Sequence, residues 1–423
     1  MTNVEVPAEN WRRKIAIFLT AQTISLFGSS LVQFAIIWHI ALSTLSGAMM
    51  TIATLCGFLP QIAIALFGGV WIDRYNRKWL VILPEAAIAL ETLGVAIAFL
   101  AGYRELWLLF AVLVVRSAGT GIQTPAVNAL IPQIVPAEKL IRINGVYSSI
   151  TSLMMFLSPA ASGAVLMFMT IEATFFIDVA TAAVGIGLLF TFPVPAIREA
   201  AENRLQSNWR NIQQGLGYLR DHAFIRRLLL FLFVVTISIS PAAFLTPLLV
   251  GRSFGDEVWR LSASEMVFSA GAAAGGMLIA AWGGFRNRLH TTILAGLLYG
   301  ALMIGLGVAP VFWSYLLFNF LIGITMSCFS APLTALLQEK VDPAMHGRVF
   351  SLVQIANCCG LPLGMVLFGP LADRIAVGRL LAGAGVLVIA LSLFAFRSRE
   401  FTGAGITARP SGGKDGEFSG SPR

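Results

Sequence analysis

Four charged side chains sit where a water-soluble protein would not place them. Glu85, Glu91, Arg116 and Asp178 each interrupt a stretch that is otherwise long and apolar. A charge at hydrocarbon depth is costly, so such residues pair, exchange protons or face a wet cavity. Glu91 and Arg116 flank a turn at Tyr103 and Arg104, each about 12 residues away, which in a helical hairpin is about 18 Å from the turn. Equal depth on adjacent helices lets them pair. A carboxylate alternating between an arginine and a proton would carry protons; a static buried salt bridge explains the same residues, and both readings stay open. Glu85 lies nearer the other end of its span, where it could join Lys78 or take up protons. Asp178 falls near the start of its run. It reads first as a helix-start carboxylate favoured by the helix dipole and second as a transport group.

A different constellation occupies the loop Gly69-Val-Trp-Ile-Asp73-Arg74-Tyr-Asn-Arg77-Lys78. A glycine at a helix end permits close helix contact. A carboxylate among cations can face the N-terminus of another helix. A later span starts on the same side near Gly347 and Arg348, so Asp73 is expected to tie the two halves of the chain at an inner gate. The stretch Gly369-Pro-Leu-Ala-Asp373-Arg374 repeats the spacing. Its expected position is the external face, and it reads as a structural helix end.

These residues must be positioned by helices in lipid. Of 423 residues, 57% are hydrophobic and 12% charged, against about 25% charged in ordinary soluble chains. A spanning helix needs about 20 apolar residues, and twelve runs qualify: approximately 15–42, 47–72, 79–101, 106–131, 144–168, 173–193, 226–250, 262–284, 290–309, 312–337, 348–371 and 377–396. With the N-terminus inside, 23 of the 29 Lys and Arg fall on the cytoplasmic side, five outside and one, Arg116, within a span. That bias predicts a multi-pass inner-membrane protein with both termini cytoplasmic. The N-terminal run reads as an uncleaved first helix, not a signal peptide. The polar segment from about Pro195 to His222 divides the spans six and six. Within it, Ser207 to Leu219 predicts an interfacial helix with Trp209, Ile212, Leu216 and Leu219 on one side. The expected organisation is an N-terminal bundle over 1–195, a cytoplasmic loop over 196–225, a C-terminal bundle over 226–396 and a disordered cytoplasmic tail over 397–423.

The two halves repeat. Pro125 and Ala129 fall on Pro332 and Leu336, and Pro136-Ala137 on Pro343-Ala344, at an offset of 207. Tyr147-Ser148 and Pro159 then fall on Phe350-Ser351 and Pro362 at 203. Spans four and five thus recur as ten and eleven, an architecture of transporters. Asn287-Arg288 aligns with Asn76-Arg77, which sets Gly284 where Asp73 stands and leaves the second half without the matching carboxylate.

Other classes lack their signatures. There is no GxxxxGK[ST] loop, no HExxH and no Ser-His-Asp pattern, so an ion gradient, not ATP hydrolysis, is the expected energy source and no enzyme is expected. Cys56, Cys328, Cys358 and Cys359 lie in apolar runs without metal-ligand spacing, and His39, His222, His290 and His346 are scattered. No metal, cofactor or disulfide is expected. The net charge of +8 sits in loop clusters without aromatic interleaving, which argues against nucleic acid. Thirty Phe and 13 Met would suit either a greasy binding pocket or lipid-facing surfaces.

The motif Gly69-x-x-x-Asp73-Arg74-x-x-Arg77-Lys78 resembles the signature loop of the major facilitator superfamily, with Asn76 where that pattern usually has a second glycine. Arg116-Ser-Ala-Gly119-Thr-Gly121 resembles its weaker fourth-span pattern. More narrowly, the chain is similar to the macrolide-efflux branch of drug–proton antiporters. The carrying stretches are Gly57-Phe58-Leu59-Pro60, Val115-Arg116-Ser117 through Thr124-Pro125-Ala126-Val127-Asn128-Ala129, Gln338-Glu339-Lys340, and Gly347-Arg348-Val349-Phe350-Ser351-Leu352. The resemblance implies an all-α membrane fold of twelve helices in two pseudo-symmetric six-helix bundles, with a substrate cavity between them near the midplane. It implies a monomer whose partners are a small-molecule substrate, protons and the lipid bilayer, and whose work is proton-coupled export of a hydrophobic drug-like compound. Export of a siderophore or other endogenous metabolite is the alternative, and a non-transporting membrane protein is a more distant one.

Overall fold

The computed structural model describes residues 11–191, 204–285, 287–342 and 345–397, without the side chains of 65–74 and 204–212. Among them run fourteen α-helices. The first six are α1 (Trp11–Thr44), α2 (Gly47–Arg74), α3 (Arg77–Leu100), α4 (Leu106–Ile134), α5 (Leu140–Phe168) and α6 (Ile171–Phe190). Then come α7 (Arg204–Asp221), α8 (Ala223–Phe244), the short α9 (Thr246–Ser253), α10 (Val258–Trp282), α11 (Arg288–Gly307), α12 (Phe312–Lys340), α13 (His346–Ala372) and α14 (Val377–Arg397). With α8 and α9 taken together as Ala223–Ser253, twelve helices are long and apolar enough to cross a membrane. They are the twelve runs expected from sequence, with ends moved by a few residues. The remaining helix, α7, covers the expected interfacial segment and packs against α2, α8 and α13. Gly215 on α7 lies against Leu352 and the Arg348 carbonyl of α13. The side chains of Trp209 and Ile212 and the tail beyond Arg397 lie outside the described residues.

The repeat read from sequence is visible in local chemistry. Asn76 caps α3 by accepting from the Lys78 N–H at 3.0 Å, and Asn287 caps α11 by accepting from the Leu289 N–H at 3.0 Å. A side-chain acceptor at this position satisfies one of the orphan donors of a helix start. Where the first half has Asp73, the second has Gly284 at φ +78°, a conformation open to glycine at no steric cost. The aligned arginines both reach the end of a neighbouring helix. Arg77 donates to the Ala129 carbonyl of α4 at 2.9 Å, and Arg288 pairs with Glu339 of α12. Pro125 and Pro332 lie inside α4 and α12, Pro159 and Pro362 inside α5 and α13.

Lipid gives helices no hydrophobic reason to associate, so close contact depends on small residues. The α11–α14 seam shows this. Gly300 and Gly307, seven residues apart, face Gly385 and Gly378, and a Cβ on any of the four would meet the backbone of the partner helix.

The two bundles meet through α2 against α13 and α5 against α10. Because each spanning helix reverses direction, Trp11, α7 and Arg397 share one face, here termed the chain-end face; the other is the distal face. Burial differs between them. On the distal side one continuous core joins both halves, with Leu31, Trp38 and Phe99 in the same cluster as Leu248, Tyr315 and Met365. Toward the chain-end face the core splits in two. One part is built on Phe18, Val81 and Leu130, the other on Leu228, Leu289 and Leu336. Accordingly α5 buries no residue before Met154, and α13 buries only Val349 before Gly360. The molecule is closed at the distal face and parted at the chain-end face.

The Lys and Arg bias predicts that the chain-end face is cytoplasmic. In intact cells an impermeant thiol reagent should label a cysteine placed at the exposed Asp256 and spare one placed at the exposed Arg220. Labelling of Arg220→Cys alone would invert the topology.

Candidate functional site

Buried polar side chains of the first half gather in two tiers along α1, with Ser25 in one and Ser29 in the other. Four residues separate them, one helical turn or about 6 Å. In the tier nearer the chain-end face, Glu85 of α3 is buried and both its oxygens are occupied. The Ser25 hydroxyl donates to Oε1, and Gln123 Nε2 of α4 donates to Oε2 at 2.6 Å. In the other tier Arg116 of α4 is buried at 5% exposure. Its Nη1 lies 2.6 Å from Asp178 Oδ2 and 3.4 Å from Thr92 Oγ1; its Nη2 donates to the Ser29 carbonyl at 2.7 Å. Four helices, α1, α3, α4 and α6, therefore converge on one guanidinium.

This corrects two expectations. Arg116 takes Asp178, not Glu91, as its carboxylate. The hairpin argument fixes depth along the helices but not rotation about them, and it is Thr92, about 100° round α3 from Glu91, that points at the arginine. Asp178 is not a helix-start carboxylate either. It lies seven residues, about 10 Å, into α6 and is 1% exposed. Glu91 is left with a buried Oε2 that has no hydrogen-bond partner among the described residues.

A cavity of about 400 Å³ opens beside both tiers. Gln22, Gln33 and Gln61 line it with Glu85, Arg116 and Gln123, and Phe34, Phe58 and Met155 add apolar wall. Each of these belongs to α1–α5, so among the described residues this cavity is walled by the first half. Pro60 interrupts the ladder of α2 at this level. The N–H of Gln61 turns to Ser117 Oγ at 3.0 Å, which fixes α2 to α4 at the cavity wall. Amides and hydroxyls in apolar surroundings can hydrogen-bond an oxygen-rich organic molecule, while the aromatic wall takes its hydrocarbon parts.

The expected inner-gate residues are placed unequally. Arg77 and Lys78 open α3, where Arg77 binds the end of α4. Gly69, Asp73 and Arg74 lie on the last turns of α2, and their side chains are outside the described residues. Uncharged polar residues within the spans also tie helices together. Asn319 donates to the Ser264 carbonyl at 2.8 Å and ties α12 to α10, and Asn357 accepts from Thr236 at 3.4 Å. His39 lines a shallow distal pocket beside the Arg104–Glu172 ion pair of 2.6 Å. Glu172, and Glu265 on α10, are absent from the candidates drawn from sequence. The signal for Glu265 was there: it is the one acidic residue of α10.

Comparison with known proteins identifies the family. The family model described as Major Facilitator Superfamily matches residues 18–365. The chain belongs to the major facilitator superfamily. Macrolide efflux protein A of Streptococcus pyogenes is 30% identical over 391 residues, covering 91% of this chain and 95% of its own. Enterobactin exporter EntS of Escherichia coli O127:H6 is 24% identical over 405 residues, covering 90% and 92%. A solved POT family transporter in complex with a thioalcohol-conjugated peptide superposes with a TM-score of 0.72 at 14% identity, covering 92% of this chain and 97% of that one. The chain is thus a major facilitator transporter of twelve spanning helices, similar over nearly its whole length to the macrolide-efflux branch.

If Asp178 is the partner of Arg116, Asp178→Asn strands a buried guanidinium and should destabilise the protein by about 3–5 kcal/mol. Glu91→Gln removes no partner and should change stability by less than about 1 kcal/mol. Thermal unfolding of the purified proteins in one detergent compares them. Equal losses would return Glu91 to Arg116.

Proposed function

We propose that this major facilitator transporter exports hydrophobic drug-like compounds, macrolide-type antibiotics among them, in exchange for protons, across a bacterial inner membrane with both termini in the cytoplasm. The observation that carries the coupling is the buried Glu91 Oε2, which has no donor among the described residues, on the same helix as the Thr92 that binds Arg116. An ionised carboxylate oxygen without a partner is expensive in a low-dielectric interior, and a proton is what neutralises it. Arg116 and Asp178 hold each other and form the fixed electrostatic frame. Glu85, saturated by Ser25 and Gln123, lines the cavity and fixes its polarity, and it is the reserve site for proton transfer. Asp73, with Gly69, Arg74, Arg77 and Lys78, makes the clasp of the chain-end face when that face closes. The macrolide part of the reading is supported by the likeness to macrolide efflux protein A over 91% of the chain.

A second reading, export of an endogenous siderophore-like metabolite, is supported by the more distant likeness to the enterobactin exporter and by the amide- and hydroxyl-lined cavity.

The test is growth of a pump-deficient bacterial host carrying the protein, over a panel of antibiotics, with and without an uncoupler. Expression should raise the inhibitory concentration of erythromycin, a macrolide, several-fold. The uncoupler, or Glu91→Gln at equal protein level, should abolish the gain. Protection against no compound, together with uncoupler-sensitive release of a metabolite, would favour the second reading.

A further inference from the structure

Among the described residues, the tightest polar contacts between the two halves lie at the distal face, around the stretch that sequence alone reads as a mere helix end. Asp373 ends α13. One of its oxygens accepts from the Gly47 N–H at 2.6 Å, and the other accepts from the Ala48 N–H at 2.9 Å and the Ser46 hydroxyl at 2.9 Å. These donors open α2 of the opposite half, and a carboxylate on a helix N-terminus is stabilised by both the free N–H groups and the dipole. Arg252 of α9 completes the cluster. It donates from Nη2 to Asp373 at 3.1 Å, from Nη1 to the Ala372 carbonyl at 2.6 Å and from Nε across to the Leu45 carbonyl at 3.1 Å. Leu45 is the one described non-glycine residue with positive φ, +46°. Such a conformation is held only where surroundings over-determine it, and here it presents a first-half carbonyl to a second-half arginine.

Glycine spacing completes the device. A Cβ on Gly369 would strike Thr51 Oγ1 and the Gly47 carbonyl, and one on Gly47 would strike the Gly369 carbonyl. Gly369 therefore lets α13 approach α2 closely, four residues before the carboxylate that binds its start. Gly69 and Asp73 stand at the same spacing, with an arginine following in both, at the other end of α2. Helices α2 and α13 thus carry the same Gly-x-x-x-Asp-Arg spacing at their C-terminal ends, which lie on opposite faces.

We propose that Asp373, clamped by Arg252, is the distal latch of the transport cycle, the counterpart of Asp73 on the other face: it holds the distal face shut in the state seen here and must let go for that face to open. The proposal rests on the transporter reading only for the word cycle; the latch itself is a statement about which conformation the contacts favour. Burial works against the charge on Asp373. The donors from Ala48, Gly47, Ser46 and Arg252 outweigh it and hold the carboxyl below the usual carboxylate range, so the latch is ionised at neutral pH.

Distance distributions between nitroxides test this. The labels go on cysteines at Tyr103 and Ala376, both exposed on the distal face in opposite halves, in the full chain with its four native cysteines replaced, reconstituted in lipid nanodiscs without substrate. The parent should show one dominant short distance. Asp373→Ala should raise the open-to-closed ratio about tenfold or more, the scale of losing a charge-assisted hydrogen bond. Asp373→Asn should give a smaller rise, and Asp373→Glu should restore part of the closed population. If Asp373→Ala is not recovered folded, Arg252→Gln and Ser46→Ala must shift the distribution in the same direction. An unchanged distribution in the folded variants, even with a lower melting temperature, overturns the latch and leaves Asp373 a structural residue. Because the readout needs neither drug nor proton gradient, failure of the export reading would not touch it.

Discussion

A guanidinium in the middle of an apolar helix bundle must be answered from within the protein, because no water reaches it at no cost. That constraint organises the first half of this transporter. Arg116 is met by a carboxylate from α6, a hydroxyl from α3 and a carbonyl from α1, and these contacts fix the rotation of four helices about one point. Removing Asp178 would leave the guanidinium charge without its carboxylate in a low dielectric, which ties α4 to α6 at this point. The tie has a functional consequence. An arginine engaged by Asp178 is held away from other carboxylates, and the nearby Glu91 keeps an Oε2 with no hydrogen-bond partner among the described residues.

The second half is built differently at the same level. Its interior polar cluster joins Ser264, Tyr315 and Asn319 through neutral hydrogen bonds, with the Ser264 and Tyr315 hydroxyls 2.6 Å apart. Neutral bonds of this kind fix helix register in a membrane without binding a proton. The pseudo-symmetry of the fold therefore extends to helix order, proline positions, the Asn caps and the arginines that follow them, and stops at the buried charged groups. One half holds the buried ion pair. The other contributes Glu265, alone on α10, and packing surfaces such as the glycine seam of α11 and α14.

Much of this was legible in the sequence because it depends on local rules. Span number follows from apolar run length, and α7 from an amphipathic stretch between charged ends. Identifying the partner of Arg116 needed information that no local pattern holds. Depth can be counted from a hairpin turn, but azimuth about a helix axis cannot when apolar residues surround the helix on all sides. Asp178 was further disguised by its nearness to the start of an apolar run, whereas two full turns of α6 precede it. The partners of Asp373 were hidden for a related reason. The stretch Gly369 to Arg374 shows a helix ending, and only the fold shows that another helix begins against it. The cavity of the first half was equally hidden, since its lining is spread over five helices.

The central claim is that Glu91, and not the Arg116–Asp178 pair, exchanges the proton that drives export. The direct measurement is proton release by purified protein in weakly buffered detergent on addition of erythromycin. The parent should acidify the medium at neutral pH. Glu91→Gln should bind the drug and release nothing, while Glu85→Gln should still release. Undiminished release from Glu91→Gln would contradict the account and move the proton to another carboxylate.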